Sequence, residues 1–168
     1  MQKKLLTAAI ATWVSDKITN TALAYLDFIN IMSYDKTGPW TPNRSGPHAP
    51  LIMAENDIRY WSGNRHIPKK KIILGVPFYG YRFAKDAITS ISFAEIVTRF
   101  PGSQLNDSLV CIDKSAIYYN GMETIRAKTK LAMEKAGGVM IWQLLQDAEE
   151  PNALLSIIDN TMHPKRKK

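Results

Sequence analysis

The chain has 168 residues, 45% of them hydrophobic, with four tryptophans, seven tyrosines and a formal charge of +7. That composition excludes a disordered chain and suits one globular domain. A single cysteine, Cys111, excludes an internal disulfide framework and any multi-cysteine metal site, and no apolar run is long enough to span a bilayer. The basic charge is concentrated in Lys69–Lys71 and in the terminal run Lys165-Arg166-Lys167-Lys168. No nucleic-acid motif accompanies it, so the terminal run reads as a solvated tail rather than a nucleic-acid or membrane contact.

Met1 to Ala11 has the form of a signal peptide, with Ala9-Ile10-Ala11 as an A-x-A site. The same residues also suit a strand preceded by lysines, and a first strand over Lys3–Ala11 is the preferred reading, with small Thr7, Ala9 and Ala11 on one face. Thr19 or Asn20 then caps a short helix through Leu26. The second strand runs from Phe28 to Tyr34. Its alternation sets Met32 and Tyr34 on one face with Phe28 and Asn30, and Ile29, Ile31 and Ser33 on the other. Asp35 falls at its carboxyl end, the end where parallel α/β sheets bind ligands. A proline- and glycine-rich loop, Gly38–Pro50, presents Trp40 and His48; loops of this length without regular structure are functional or disordered. His48 and His66 lack partners at metal-ligand spacing and read as surface residues; no cofactor is implied.

Leu51 to Trp61 spaces Leu51, Ala54, Ile58 and Trp61 along one helical face. Lys71 to Tyr79 is a third strand, nearly all apolar, as a strand covered on both faces should be. The stretch Gly80–Asn120 is too long for a simple strand-to-helix connection. In it Ser92-Phe93-Ala94-Glu95 is a capping box opening a helix to about Phe100, stopped by Pro101-Gly102. Leu109–Asp113 and Ala116–Tyr119 read as short strands. Asn120-Gly121-Met122-Glu123 caps a helix to about Ala136 with Ile125, Thr129 and Met133 as its inner stripe. Val139–Trp142 is the fourth strand, and Pro151 suits the first turn of a closing helix over Asn152–Asp159. Glu55, Asp57, Glu149 and Glu150 occupy helices or helix starts, the ordinary positions for carboxylates.

Regular alternation of strands and helices argues for a parallel sheet. Four strand motifs then resemble, in order, strands five to eight of the barrel of glycoside hydrolase family 18, the chitinase family. They are Leu5-Leu6-Thr7-Ala8-Ala9, then Met32-Ser33-Tyr34-Asp35 with Trp40 behind it, then Gly75-Val76-Pro77-Phe78-Tyr79-Gly80, then Gly137-Gly138-Val139-Met140-Ile141-Trp142. The stretch after the third strand resembles the family's small α+β insertion. The resemblance implies an α/β fold: half of a (β/α)8 TIM barrel, four parallel strands with their helices, over residues 1–79 and 121–162. Residues 80–120 are the α+β insertion and 163–168 the basic tail. A complete barrel needs about 250 residues.

The resemblance also implies chemistry on β-1,4-linked N-acetylglucosamine, cleaved in the family by attack of the substrate's own N-acetyl oxygen. On it, Tyr34 donates to that oxygen, Asp35 accepts from the sugar, Met32 lines the floor and Trp142 stacks on the ring. Tyr79 and Trp40 are wall candidates. Arg82 is a weaker one, because the family often has arginine directly after Tyr-Gly and Tyr81 stands there. The family's acid belongs to an Asp-x-x-Asp-x-Asp-x-Glu run at the fourth strand, and no such run occurs in these residues. The chain is therefore expected to be inactive alone, with sugar binding without catalysis, or a basic adaptor role without sugar, as alternatives. Expected partners are chitin or its oligosaccharides, and a second copy or a first-half chain at the two open sheet edges; neither nucleic acid nor membrane is expected. The family is often secreted, and the compartment stays open.

Overall fold

The structure, a computed structural model, describes residues 4–164; the terminal basic run and the first three residues lie outside the described part. In chain order the elements are β1 (Thr7–Ile10), α1 (Asn20–Ala24), β2 (Phe28–Ile31), α2 (Leu51–Arg59), β3 (Ile72–Pro77), β4 (Tyr79–Phe83), β5 (Ile88–Ser92), α3 (Phe93–Arg99), β6 (Ser108–Val110), β7 (Ala116–Tyr118), α4 (Met122–Lys135), β8 (Gly138–Trp142) and α5 (Leu154–Met162).

The first sheet is parallel, in the order β1-β2-β3-β8. Its register pairs Ile10 with Ile31, Ile31 with Leu74, and Pro77 with Trp142, so the carboxyl ends of the strands form one rim. Ile29, Ile31, Ile72, Leu74 and Val76 point to one face and share a single core with Ala54 and Ile58 of α2, Trp61 of the turn after it, Ile125 and Ala132 of α4, and Leu154, Ile157 and Ile158 of α5. The opposite face is less covered: Asn30, Met32, Ile73 and Met140 are half-buried, and Ala9 and Trp142 are exposed. Among the described residues β1 and β8 each pair on one side only. This architecture is the α/β fold expected from the strand pattern.

Several local expectations hold. Thr19 caps α1, its Oγ1 accepting from Ala22 N, and Ser92 caps α3, its Oγ accepting from Glu95 N. Others are corrected by contacts distant in sequence. The third strand does not reach Tyr79. It ends at Pro77, and Tyr79 opens β4 of a second, antiparallel sheet ordered β5-β4-β7-β6. The apolar run hides this join because residues on both sides of it are buried. The second strand ends at Ile31, since Ser33 N turns back to the Ile31 carbonyl.

Asn120 does not cap α4. Its cap contact comes instead from Asp107, which accepts from Gly121 N and from the Thr124 hydroxyl. The inner stripe of α4 is Ile125, Lys128, Thr129 and Ala132, while Met133 is exposed. The closing helix starts at Leu154, three residues after Pro151, and Asp147 caps it by accepting from Leu154 N and Leu155 N.

Candidate functional site

The carboxyl rim of the parallel sheet gathers most of the residues singled out in the sequence. Just past β2 the chain bends at Asp35, whose φ of 66° lies in the left-handed region. Aspartate is one of the few residues besides glycine that tolerate it. The Asp35 carboxylate meets β4, where Tyr79 and Tyr81 alternate onto the same face. Both phenols donate to Asp35 Oδ1, Tyr81 at 3.1 Å. Among the described residues nothing donates to Oδ2.

Tyr34 lies behind this pair, 3% exposed, its ring edge-on to Tyr79 at 6.3 Å. Its hydroxyl is buried and has no hydrogen-bond partner among the described residues. Tyr34 reaches this depth because Gly75 of β3 has no side chain: a Cβ there would lie 2.4 Å from the Ile31 carbonyl oxygen and 3.0 Å from Tyr34 Cε1. Met32 and Met140 pack against the same tyrosine cluster. Trp40 meets Tyr81 edge-to-face at 5.6 Å and remains 54% exposed. Trp142 closes β8 opposite Pro77, 55% exposed.

A cavity of about 790 Å³ opens beside Asp35 and is lined by Trp13, Trp40, Ile52, Asn56 and Asp57 among others. Trp142 is not part of its lining.

The sequence reading missed four of these residues. Tyr81 is signalled by its alternation with Tyr79. Trp13 carried no signal beyond being aromatic. Asp57 is not a solvated helix carboxylate: it is buried, and burial raises its pKa against the lowering effect of the Ser33 and Thr12 hydroxyls. His48 is not a surface residue. It is fully buried, with Nε2 3.1 Å from the Tyr79 carbonyl oxygen and Nδ1 3.6 Å from Asp35 Oδ1. Arg82 stays away from the site, engaged with Asp113 and Ser115 in the turn between β6 and β7. His66 is exposed, as expected.

The charges follow from these contacts. Burial works to raise the Asp35 pKa, but His48 and the two phenols outweigh it and hold the carboxyl below its usual range. Burial first, and the Asp35 charge second, push the Tyr34 phenol up to about 12. Burial raises Tyr79 and Tyr81 as well, again with help from Asp35. The site is thus one carboxylate ringed by phenols that keep their protons.

The profile of "Glycosyl hydrolases family 18" matches residues 1–147. The chain belongs to glycosyl hydrolase family 18. Among solved structures, the family 18 chitinase ChiB from the chitin utilization locus of Flavobacterium johnsoniae superposes with a TM-score of 0.82 at 42% identity, over 94% of this chain and 50% of its own. The class V chitinase of Nicotiana tobaccum, solved in complex with NAG4, shares the fold with a TM-score of 0.76 at 23% identity, over 95% of this chain and 56% of its own. The uncharacterized glycosylase YvbX of Bacillus subtilis is 25% identical over 142 residues, covering 74% of this chain and 40% of that relative. The family 18 chain described here therefore spans about half the length of each of these three relatives.

Proposed function

We propose that this family 18 chain binds β-1,4-linked N-acetylglucosamine at the rim formed by Met32, Tyr34, Asp35, Trp40, Tyr79 and Trp142. The observation that carries the reading is the Asp35–Tyr34 pair. Asp35 Oδ1 is held by two phenols, and among the described residues neither Oδ2 nor the buried Tyr34 hydroxyl beside it has a partner. Together they offer one acceptor and one donor to a ligand with both, as an acetamido group has. The Tyr34 phenol, with its pKa at about 12, remains a donor at neutral pH and suits the acetamido oxygen. The Asp35 carboxylate stays charged and suits a sugar donor; in the family's reaction it would also stabilise positive charge developing on the attacking amide. Exposed Trp142 offers a flat apolar platform for a sugar ring, and Met32 an apolar floor. The tobacco relative bound to NAG4 supports the ligand class.

In this reading the parallel sheet and its helices are the second half of a (β/α)8 barrel, corresponding to strands five to eight, and the antiparallel sheet that Tyr79 opens belongs to the insertion that walls the cleft. The open sheet face and the single-sided β1 and β8 leave room for four further strands. The 168 residues hold no Asp-x-x-Asp-x-Asp-x-Glu run, so by itself the chain binds the sugar without cleaving it.

Titration calorimetry with the N-acetylglucosamine tetramer tests the proposal. Trp142→Ala is expected to weaken binding by roughly 1–3 kcal/mol, by analogy with stacking of bases on aromatic side chains. Equal affinity of both proteins removes Trp142 from the site, and a wild-type chain that does not bind at all refutes the reading.

A further inference from the structure

His48 is buried in a loop that is otherwise largely exposed, and its two ring nitrogens face different groups. Nε2 lies 3.1 Å from the Tyr79 carbonyl oxygen. A carbonyl only accepts, so Nε2 carries a proton. In the neutral ring Nδ1 is then a bare lone pair. Among the described residues it has no hydrogen-bond partner, and it stands 3.6 Å from Asp35 Oδ1, an oxygen already accepting from Tyr79 and Tyr81. A lone pair facing a carboxylate is repulsive; a proton on Nδ1 makes the same contact attractive.

The ring is poorly placed to escape this conflict. The next residue, Ala49, is clamped through its carbonyl oxygen by Lys128 Nζ at 2.8 Å and Asn120 Nδ2 at 3.0 Å. Lys128 Nζ also donates to Asn120 Oδ1 at 2.7 Å, and all three residues are buried.

We propose that His48 is a positioning residue for Asp35: a proton taken up at Nδ1 turns the 3.6 Å contact into an ion pair that fixes the carboxylate, while Lys128 and Asn120 hold the ring in place through Ala49. The consequence for sugar binding rests on the proposed function of Asp35; the coupling of the two groups does not.

The groups facing His48 are Asp35 beyond β2, Tyr79 and Tyr81 on β4, and Lys128 on α4, with Asp107 and Asp57 behind that lysine. Burial, with help from the Lys128 charge, lowers the His48 pKa against the raising effect of Asp35 and the Tyr79 carbonyl. The ring is therefore neutral at pH 7 and gains its proton at acidic pH. Asp35 is likewise held below the carboxylate range, by the His48 contact and the two phenols.

Long-range proton–nitrogen spectra of the whole chain read each ring nitrogen, with the His48 signals assigned by their loss in His48→Gln. At about pH 8 the expected state is protonated Nε2 and bare Nδ1. On acidification Nδ1 takes the proton, and Asp35→Asn moves that event to lower pH because the neighbouring negative charge is gone. A proton on Nδ1 already at about pH 8, or a titration that Asp35→Asn leaves in place, overturns the proposal. Calorimetry with the N-acetylglucosamine tetramer is expected to show affinity rising as His48 titrates, and no such rise in His48→Gln. A variant that keeps the wild-type pH profile also overturns it. Wild type that fails to bind at every pH refutes the sugar reading, and the nitrogen spectra still decide the coupling.

Discussion

Lys128→Met probes the clamp beneath the site. Lys128 is 0% exposed, and burial lowers its pKa to about 7 even though Asp107 and Asp57 pull it upward. An unfolded lysine keeps its proton to about pH 10.4. Between these values the unfolded chain binds a proton that the native chain does not, so native stability rises with pH across the window. From about pH 8 to about pH 9.5 the native lysine is mostly neutral and the unfolded one mostly charged. At ~1.36 kcal/mol per pH unit the gain over that interval is roughly 2 kcal/mol. Methionine abolishes it.

Methionine also leaves Asn120 Oδ1 without the Lys128 donor, while the Ala49 carbonyl keeps its bond from Asn120 Nδ2. One buried unsatisfied acceptor costs about 1–3 kcal/mol. At about pH 9.5 the wild-type lysine still gives up roughly 1 kcal/mol to deprotonation. The variant should therefore be less stable there by about 1–3 kcal/mol reduced by roughly 1, and the balance should move a further ~2 kcal/mol in its favour at about pH 8. Urea unfolding followed by circular dichroism at the two pH values measures both numbers. Every other titrating group is common to the two proteins and cancels in the comparison. Stability curves that run parallel between the two pH values would mean the lysine stays charged in the core, and the argument would fail. Tyr34, Tyr79, Tyr81 and Tyr119 act in the opposite sense: their raised pKa values make native stability fall as pH rises above the ordinary tyrosine value near 10.

The purified 168-residue chain should not hydrolyse chitin oligosaccharides above background, since general acid catalysis contributes about 10²–10⁴-fold and the family's acid run is not in it; turnover abolished by Tyr34→Phe would expose an acid that has gone unrecognised. The sheet face carrying Asn30, Met32, Met140 and Trp142 should draw in a second copy or a first-half chain, because burying apolar surface gains about 25 cal/mol per Å² against marginal domain stability. Sedimentation equilibrium at micromolar concentration checks this, and a soluble monomer with a cooperative melt refutes it. Gly75→Ala places a Cβ 2.4 Å from the Ile31 carbonyl oxygen, so it should cost about 1–3 kcal/mol and displace Tyr34; an unchanged melting temperature together with intact sugar binding would show that β2 and β3 yield more easily than this packing allows.

The sequence by itself determined the features that repeat over short distances. The apolar face of α2, the Ser92 cap, the four strand motifs and the family they point to are signals carried within a few residues of each other. Only the tertiary structure decided which polar groups lie inside. Lys128 looks like any helix lysine until the Ala49 carbonyl, 79 residues away in sequence, accepts its hydrogen bond. His48 reads as a loop histidine until Tyr79, 31 residues later, supplies the acceptor that makes its burial tolerable. Asn120 has the form of a helix cap, yet Asp107 takes that role and frees Asn120 to hold Ala49. The reason is common to all three. A polar side chain is buried only where a partner offsets its lost hydration, and here those partners arrive from other elements, so local sequence carries no trace of them.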